Sequence, residues 1–177
     1  MNLEPIFDVN MKHLISFQTA KDLKPDVLMS YVKPENAIPL SELTLKDLSI
    51  YPGIGLYFFY DLDNRLQYVG KCTSRSFLER IPSHFDCRKH AQFATLVKKL
   101  GAENFKSNDV SVISHKALSE LKLFLVNFTY DGIIRGEGKY SEEDVKPKTA
   151  IEAIYVGFLE RGIIDATVPV LNRKVRR

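Results

Sequence analysis

The stretch GLYFFYDLDNRLQYVG, residues 55–70, decides the fold. Its first part, GLYFFY (55–60), is a dense aromatic run with strong β propensity. DLDN (61–64) has the composition of a turn, and LQYV (66–69) resumes as a strand that ends at Gly70. Two strands around a polar turn of four residues predict a β-hairpin.

Further elements are predicted on the C-terminal side of the hairpin. Thr73 or Ser74 is expected to cap a short helix over about 75–81, which Pro82 interrupts or kinks. Apolar spacing predicts a second helix from about Arg88 to Leu100, with Gly101 as its stop. Two strands are predicted next, an alternating one at 109–114 (DVSVIS) and an apolar, central one at 121–128 (LKLFLVNF).

The last part of the chain predicts a loop, a helix and an extended segment. Glycine and charge mark residues 129–147 as a long surface loop, and loops of that length are often functional. A helix is expected over Lys148–Glu160, with an apolar face of Ile151, Ile154, Tyr155, Phe158 and Leu159. An extended segment at 169–172 and a basic tail follow. The predicted class is α+β, a small antiparallel sheet of three or four strands flanked by helices.

The predicted organisation is one main domain with an N-terminal lead-in. Residues 1–50, interrupted by Pro25, Pro34 and Pro39, are expected to form a helical or irregular N-terminal extension, and 51–177 the main domain with its insertion at 129–147. No apolar run is long enough for a membrane span, and the N-terminus lacks a signal-peptide core, so a cytoplasmic location is expected. Cys72 and Cys87 are interpreted as ordinary, partly buried thiols.

Charge is unevenly distributed along the chain. Between Arg65 and Lys106 nine Lys or Arg residues face three acids, although the whole chain carries a net charge of only +3. The tail 173–177 adds four basic residues in five. A basic band on a nearly neutral chain is typical of a local polyanion site, and lysine-rich helix surfaces without a ligand explain it equally well.

Polar residues at particular spacings stand out against this background. Tyr57 and Tyr68 lie on the two hairpin strands, and Arg80 and His84 are one helical turn apart. The remaining candidates are Lys71, Glu152 and Asn172. Each has an ordinary structural explanation: core aromatics, a solvated helix face, a first-turn acid or a turn residue.

Their order along the chain resembles the GIY-YIG nuclease family. Gly55-Leu56-Tyr57 and Tyr68-Val69-Gly70 are similar to the two motifs that name it, with Lys71 where the family often has lysine. Arg80 with His84 resembles its arginine helix, residues 151–156 (IEAIYV) its glutamate helix, and 169–172 (PVLN) its closing segment. The layout is most similar to small type II restriction endonucleases.

The resemblance implies a three-stranded antiparallel sheet and hydrolysis of phosphodiesters with one Mg²⁺ or Mn²⁺ ion. It implies that Glu152 holds the metal, while Tyr57 or Tyr68 is the base. The chemistry is physically reasonable: a carboxylate suits a hard cation, and the Arg80 fork fits phosphate oxygens. His84 is expected to relay a proton and Lys71 to supply a cation. Tyr57 is the preferred base, although the ordinary pKa of a tyrosine, near about 10, argues against that role.

One spacing departs from the family. Glu152 lies twenty residues before Asn172, whereas about a dozen is usual, and Glu160 lies twelve before it. Glu160 is therefore a rival metal ligand, and with Glu152 as the ligand residues 161–168 would be an insertion. Arg80 lies twelve residues after Tyr68, which is also slightly long.

Two classes of function remain open from the sequence. The preferred one is a metal-dependent endonuclease of double-stranded DNA, of restriction or defence type and acting as a homodimer on two-fold symmetric sites; a repair or homing nuclease is a variant of it. The alternative is a non-catalytic nucleic-acid-binding module of the same fold. His13, His90 and His115 have no partner spacing that favours a role in the site, although His90 in Arg88-Lys89-His90 is a candidate phosphate contact.

Overall fold

The computed structural model describes residues 14–16, 22–49, 54–86, 88, 95–101, 109–129 and 150–172. In these ranges five strands form one sheet: β1 (Leu14–Ser16), β2 (Ile38–Pro39), β3 (Ile54–Asp61), β4 (Leu66–Cys72) and β5 (Leu121–Thr129). The α-helices there are α1 (Pro25–Tyr31), α2 (Leu45–Ser49), α3 (Phe77–Ser83), α4 (Thr95–Leu100), α5 (Val110–Glu120) and α6 (Ala150–Thr167). Single turns of 3₁₀ helix cover Pro34–Asn36 and Val170–Asn172. None of the described helices is long and apolar enough to cross a membrane.

The three long strands run antiparallel in the order β5-β3-β4. The α+β class and the predicted hairpin are therefore confirmed, and so is the central position of β5. Asn64 closes the hairpin turn with a positive φ of 65°, a conformation that asparagine tolerates better than most residues. β4 has one neighbouring strand, β3, so it forms an edge of the described sheet.

Two short strands from the N-terminal part join the far side of this sheet. β1 pairs with β5 in parallel, and β2 pairs with β5 antiparallel. The expectation of a helical or irregular lead-in missed both strands, and the expectation of a wholly antiparallel sheet is wrong for β1. Strands of three and two residues are too short to show an alternating pattern, and Pro39 within β2 further hides it.

Both faces of the central sheet are buried. Tyr57 and Phe59 point into a cluster that α3, α4 and α5 cover, whereas Leu56 and Phe58 point into a second cluster under α1 and α6. A strand covered on both sides needs apolar residues at consecutive positions, which explains the run IGLYFFY at 54–60.

Gly55 is required by close packing on both sides. A Cβ there would lie 2.0 Å from the carbonyl oxygen of Val126 on β5 and 2.8 Å from Cζ of Phe77 on α3. Neither contact is compatible with a side chain, so glycine lets β5 and α3 approach β3.

The predicted strand at 109–114 is wrong, because these residues begin α5. The Asp109 carboxylate caps that helix by accepting hydrogen bonds from the backbone N–H groups of Ser111 and Val112. Ile113 and Ala117 are buried four residues apart, which is helical spacing. The alternation of β-branched residues was thus a weaker signal than the cap.

The predicted helix at 148–160 is confirmed in kind but is longer and oriented differently. α6 continues to Thr167, so residues 161–167 extend the helix and are not an inserted loop. Val156, Leu159 and Ile163 form its buried stripe, whereas Ile154 and Phe158, predicted to face the core, are 51% and 68% exposed. The segment at 169–172, predicted to be extended, ends in a 3₁₀ turn.

Two predicted helix boundaries shift. Ser76, not Thr73 or Ser74, caps α3, and Pro82 is accommodated inside that helix. Residues 95–100 confirm the C-terminal part of the helix predicted from Arg88. Most of the predicted loop at 129–147, the tail 173–177, Cys87, His13 and His90 lie outside the described residues.

Candidate functional site

The two tyrosines lie on one face of the hairpin. Tyr68 stands opposite Phe59, and Tyr57 is two positions from Phe59, so all three side chains leave the sheet on the same side. The rings of Tyr57 and Tyr68 have centroids 6.0 Å apart. Tyr57 is fully buried, whereas Tyr68 is partly exposed. Tyr68 is therefore the tyrosine that solvent reaches.

Gly70 is part of this arrangement because it lies directly opposite Tyr57. A Cβ on Gly70 would lie 2.2 Å from Cζ and 2.3 Å from Oη of Tyr57. The Tyr57 ring thus folds across the bare backbone of Gly70. The glycine of the second motif has a physical reason: it leaves room for the hydroxyl of the tyrosine of the first.

Helix α3 brings Arg80 and His84 to the tyrosines. A capping box of Ser76 and Glu79 fixes its start, and Phe77 and Ile81 are buried beneath it. Arg80 Nε donates a hydrogen bond to Tyr57 Oη at 3.2 Å, and His84 Nε2 lies 2.6 Å from the same oxygen. Two side chains one helical turn apart therefore converge on one phenol.

Burial sets the charge states in this group. It lowers the pKa of His84 to about 3, with a further contribution from the Arg80 charge, so the imidazole is neutral at neutral pH. Burial also raises the pKa of Tyr57 well above its ordinary value; Tyr68 raises it further, and Arg80 opposes the increase. Tyr57 is therefore a neutral phenol in the resting protein.

Two hydrogen bonds meet at the Tyr57 hydroxyl. The Tyr57 oxygen accepts from Arg80 Nε, and its bond with His84 Nε2 follows the imidazole tautomer: the phenol donates to an unprotonated Nε2 and accepts from a protonated one. The other ring nitrogen, Nδ1, is buried and has no hydrogen-bond partner among the described residues. His84 packs edge-on against Phe59, with ring centroids 6.0 Å apart, which holds the imidazole in place.

A second pair of charged residues lies at the same edge strand but on the α6 face of the sheet, because Lys71 stands opposite Leu56 whereas Tyr68 stands opposite Phe59. Lys71 Nζ and Glu160 Oε2 form an ion pair of 3.0 Å between β4 and α6. Gly157 makes room for it, since a Cβ there would lie 3.1 Å from Lys71 Nζ. Burial is the main reason that the pKa of Tyr68 is raised, and the Glu160 charge adds to it. The Glu160 charge therefore acts on Tyr68 around the edge that β4 forms.

Asn172 lies at this edge but its amide is used by the backbone. Its Oδ1 accepts from the N–H of Val69 at 2.7 Å, and its Nδ2 donates to the carbonyl of Val69 at 2.8 Å. The Asn172 side chain thus makes the two backbone hydrogen bonds at Val69 that a neighbouring strand would otherwise make. This geometry gives Asn172 a positioning role for β4 instead of a direct role in chemistry.

The structure brings together most of the candidates that the sequence singled out. Tyr57, Tyr68, Arg80 and His84 form one group, and the Lys71–Glu160 ion pair lies on the other face of the same edge strand. Glu152 belongs to α6, but its side chain lies outside the described residues. At a rise of about 1.5 Å per residue, its backbone is about 12 Å along the helix from that of Glu160. His115 is an exposed residue of α5 and is not part of this group.

The arrangement has the parts that handling a phosphate needs. It offers a guanidinium, an ammonium, a carboxylate, a partly exposed phenol and a neutral imidazole behind it. The described residues contain no cluster of three or more His, Cys, Asp or Glu side chains that could hold a metal ion. A cation bound at the edge of β4 would rest on the Glu160 carboxylate, on waters and on its substrate, an arrangement that suits Mg²⁺.

Gly157 is the contact that sequence reasoning missed. A glycine in the middle of a helix is costly unless something approaches closely, and this was the signal that α6 meets another side chain there.

Comparisons with known proteins add no relative to this picture: no protein-family model, curated protein or solved structure matches the chain.

Proposed function

We propose that this protein is a metal-dependent endonuclease that hydrolyses phosphodiester bonds of double-stranded DNA. One observation carries the proposal: the consecutive elements β3, β4 and α3 deliver Tyr57, Tyr68 and the Arg80–His84 pair to one group, in which Arg80 and His84 both bond to the Tyr57 hydroxyl. Aromatic core packing accounts for the tyrosine rings. It does not account for an arginine and a histidine that both bond to the same buried hydroxyl.

Glu160 is the residue we assign to the metal, in preference to Glu152. It is the carboxylate that pairs with Lys71 and whose charge acts on Tyr68, and it lies twelve residues before Asn172, the spacing typical of GIY-YIG nucleases. A single carboxylate fits Mg²⁺ or Mn²⁺, because these ions keep several waters and take further oxygens from a phosphate. When bound, the ion supplies charge neutralisation and polarisation of the leaving oxygen.

The protein's own residues then have separate roles. Tyr68, the partly exposed member of the tyrosine pair, contacts the attacking water or the scissile phosphate. Tyr57 lies behind it, and His84, 2.6 Å from the Tyr57 hydroxyl, is the group we propose for relaying a proton. This assignment replaces Tyr57 with Tyr68 as the group that meets the substrate, because Tyr57 is fully buried.

Two cations act on the phosphate in this proposal. Arg80 is held by Tyr57 through Nε, and the planar fork of its guanidinium presents donors whose geometry matches phosphate oxygens. Lys71, which pairs with Glu160 in this structure, would be available to the phosphate with Glu160 holding the ion. The basic residues between Arg65 and Lys106 supply positive charge for the phosphates of the duplex.

A restriction or defence role is the preferred subclass, with repair or homing nucleases as the variant. It rests on family analogy, because the small, single-domain members of the GIY-YIG family include type II restriction endonucleases. Cutting both strands of a two-fold symmetric site favours a homodimer. Sedimentation of the protein as a monomer, both free and with DNA, would contradict that part of the proposal.

A second candidate, a non-catalytic nucleic-acid-binding module, is favoured by the Lys71–Glu160 ion pair. A carboxylate neutralised by lysine is a weaker ligand for a cation than a free one. In this alternative Arg80 and Lys71 bind backbone phosphate, and no bond is cut.

The test is cleavage of supercoiled plasmid with Mg²⁺, with Mn²⁺ and with EDTA. Glu160→Gln is compared with Glu152→Gln, a matched change on the same helix. We expect metal-dependent cutting by the unaltered protein and by Glu152→Gln, and its loss in Glu160→Gln. Loss only in Glu152→Gln would return the metal to that residue. Binding of DNA without cleavage in any metal would establish the non-catalytic module.

A further inference from the structure

The 3₁₀ turn Val170–Asn172 has a second anchor besides the Asn172 amide. Lys99, in the last turn of α4, donates from Nζ to the carbonyl oxygen of Leu171 at 2.6 Å. The two residues are 72 positions apart, so the contact links distant segments. Leu171 itself is buried, and its neighbour Asn172 bonds to Val69 on β4.

A continuous chain of bonds therefore runs from α4 to the site. It passes from Lys99 to Leu171, along one peptide to Asn172, and through both amide atoms to Val69. Val69 directly follows Tyr68 and is two positions before Lys71. Val69 uses both its N–H and its carbonyl to bond Asn172. These two bonds fix the position of the β4 backbone between the side chains of Tyr68 and Lys71.

We propose that Lys99 is a positioning residue for the site and acts through Asn172. A charged donor makes a stronger hydrogen bond than a neutral one, and a partly buried lysine bonded to a carbonyl holds a turn that three residues alone would not keep rigid. Loss of the hydrogen bond from Lys99 weakens the Asn172–Val69 bonds, so Tyr68 and Lys71 are held less rigidly in position. The catalytic part of this inference rests on the proposed function.

The first test measures hydrogen exchange of single amides in Lys99→Met and in Lys98→Met. Lys98 is the adjacent, exposed lysine of the same helix and serves as the matched control. The Val69 amide is expected to exchange about three- to tenfold faster in Lys99→Met, the effect of weakening one ordinary hydrogen bond. The Phe58 amide, in central strand β3, reports global unfolding and should not change. Equal Val69 exchange in both variants would overturn the proposal.

The second test separates positioning from simple loss of stability. In DNA cleavage, Lys99→Met should lower kcat by about tenfold, below the roughly hundredfold cost of a full 1 Å misplacement, and leave KM nearly unchanged. Lys99→Arg, which keeps a cationic donor, should restore most of the rate. Adding Lys99→Met to Asn172→Ala should cost nothing further, because both act on the same bonds. Additive losses would refute action through Asn172.

The two tests fail in different ways. A protein that cleaves no nucleic acid would refute the proposed function, and the exchange of Val69 would still decide whether Lys99 holds the edge of β4.

Discussion

Replacing Gly70 with alanine tests how tightly the two tyrosine motifs depend on each other. The new Cβ would lie 2.2 Å from Cζ and 2.3 Å from Oη of Tyr57, whereas ordinary contact begins near 3.4 Å. The ring must therefore move by about 1 Å, since the backbone opposite it is held in the sheet. A shift of that size breaks the bond to His84, which spans 2.6 Å.

Two consequences are expected for Gly70→Ala. Overpacking should lower the free energy of unfolding by about 1–3 kcal/mol. Misplacing Tyr57 by about 1 Å should lower the cleavage rate by about a hundredfold. Urea unfolding and single-turnover cleavage of a labelled duplex, at a temperature where the variant stays folded, measure the two effects separately.

Gly157→Ala is the matched control for this change. Its Cβ would meet only the end of the flexible Lys71 side chain, at 3.1 Å. Alanine also favours a helix by about 1 kcal/mol over glycine, so this variant should be at least as stable as the unaltered protein. Normal stability and full activity of Gly70→Ala would refute the reasoning, because they would mean that the Tyr57 ring is not fixed above Gly70.

Three further predictions follow from burial and close packing. In the folded protein the pKa of His84 is about 3, below its ordinary 6.5. The free energy of unfolding should therefore be highest above pH 6.5 and fall by about 1.4 kcal/mol per pH unit as the pH drops toward 3. Urea titrations at several pH values should show a flatter slope for His84→Gln and an unchanged slope for the exposed His115→Gln. Burial raises the pKa of the Cys72 thiol to about 12. In a Cys87→Ser variant, a thiol reagent at pH 8 should therefore label the denatured protein and leave the native protein unlabelled. Rapid labelling of the native protein would contradict the burial of Cys72. Gly55→Ala places a Cβ 2.0 Å from a backbone oxygen of β5. In the same urea assay it should lower the free energy of unfolding more than Gly70→Ala does, because backbone moves less easily than a side chain. A smaller effect would show that β5 can move.

The hairpin and the central strand could be predicted from sequence because their signals are local. Aromatic runs around a polar turn determine β3 and β4 without reference to the rest of the chain. The stretch 109–114 misled because alternation of Val, Ser and Ile fits a strand, while the deciding feature was the carboxylate of Asp109 at the helix start. Strands β1 and β2 could not be found, since they are formed by pairing with β5 and have too few residues to show a period.

The candidate site divides in the same way. Tyr57, Tyr68, Arg80 and His84 were found from residue type and order, and the structure shows the contacts that join them. The pairing of Glu160 with Lys71 needed three-dimensional information, because only the packing of α6 on β4 brings that carboxylate to the lysine. The role of Asn172 was also hidden, because a side chain that bonds to a distant backbone leaves no local pattern.

The partly exposed Tyr68 is the residue through which the proposed site meets its substrate, so its hydroxyl tests the account most directly. The measurement is single-turnover cleavage of a labelled DNA duplex in Mg²⁺ by the unaltered protein, by Tyr68→Phe and by Tyr31→Phe, which removes the hydroxyl of a tyrosine that is 60% exposed on α1. We predict cleavage that EDTA abolishes, a loss of about a hundredfold or more in Tyr68→Phe, in the range of general acid–base catalysis, and no loss in Tyr31→Phe. Equal rates in all three proteins, or no cleavage by the unaltered protein in Mg²⁺ or Mn²⁺, would contradict the assignment of this cluster as a nuclease site.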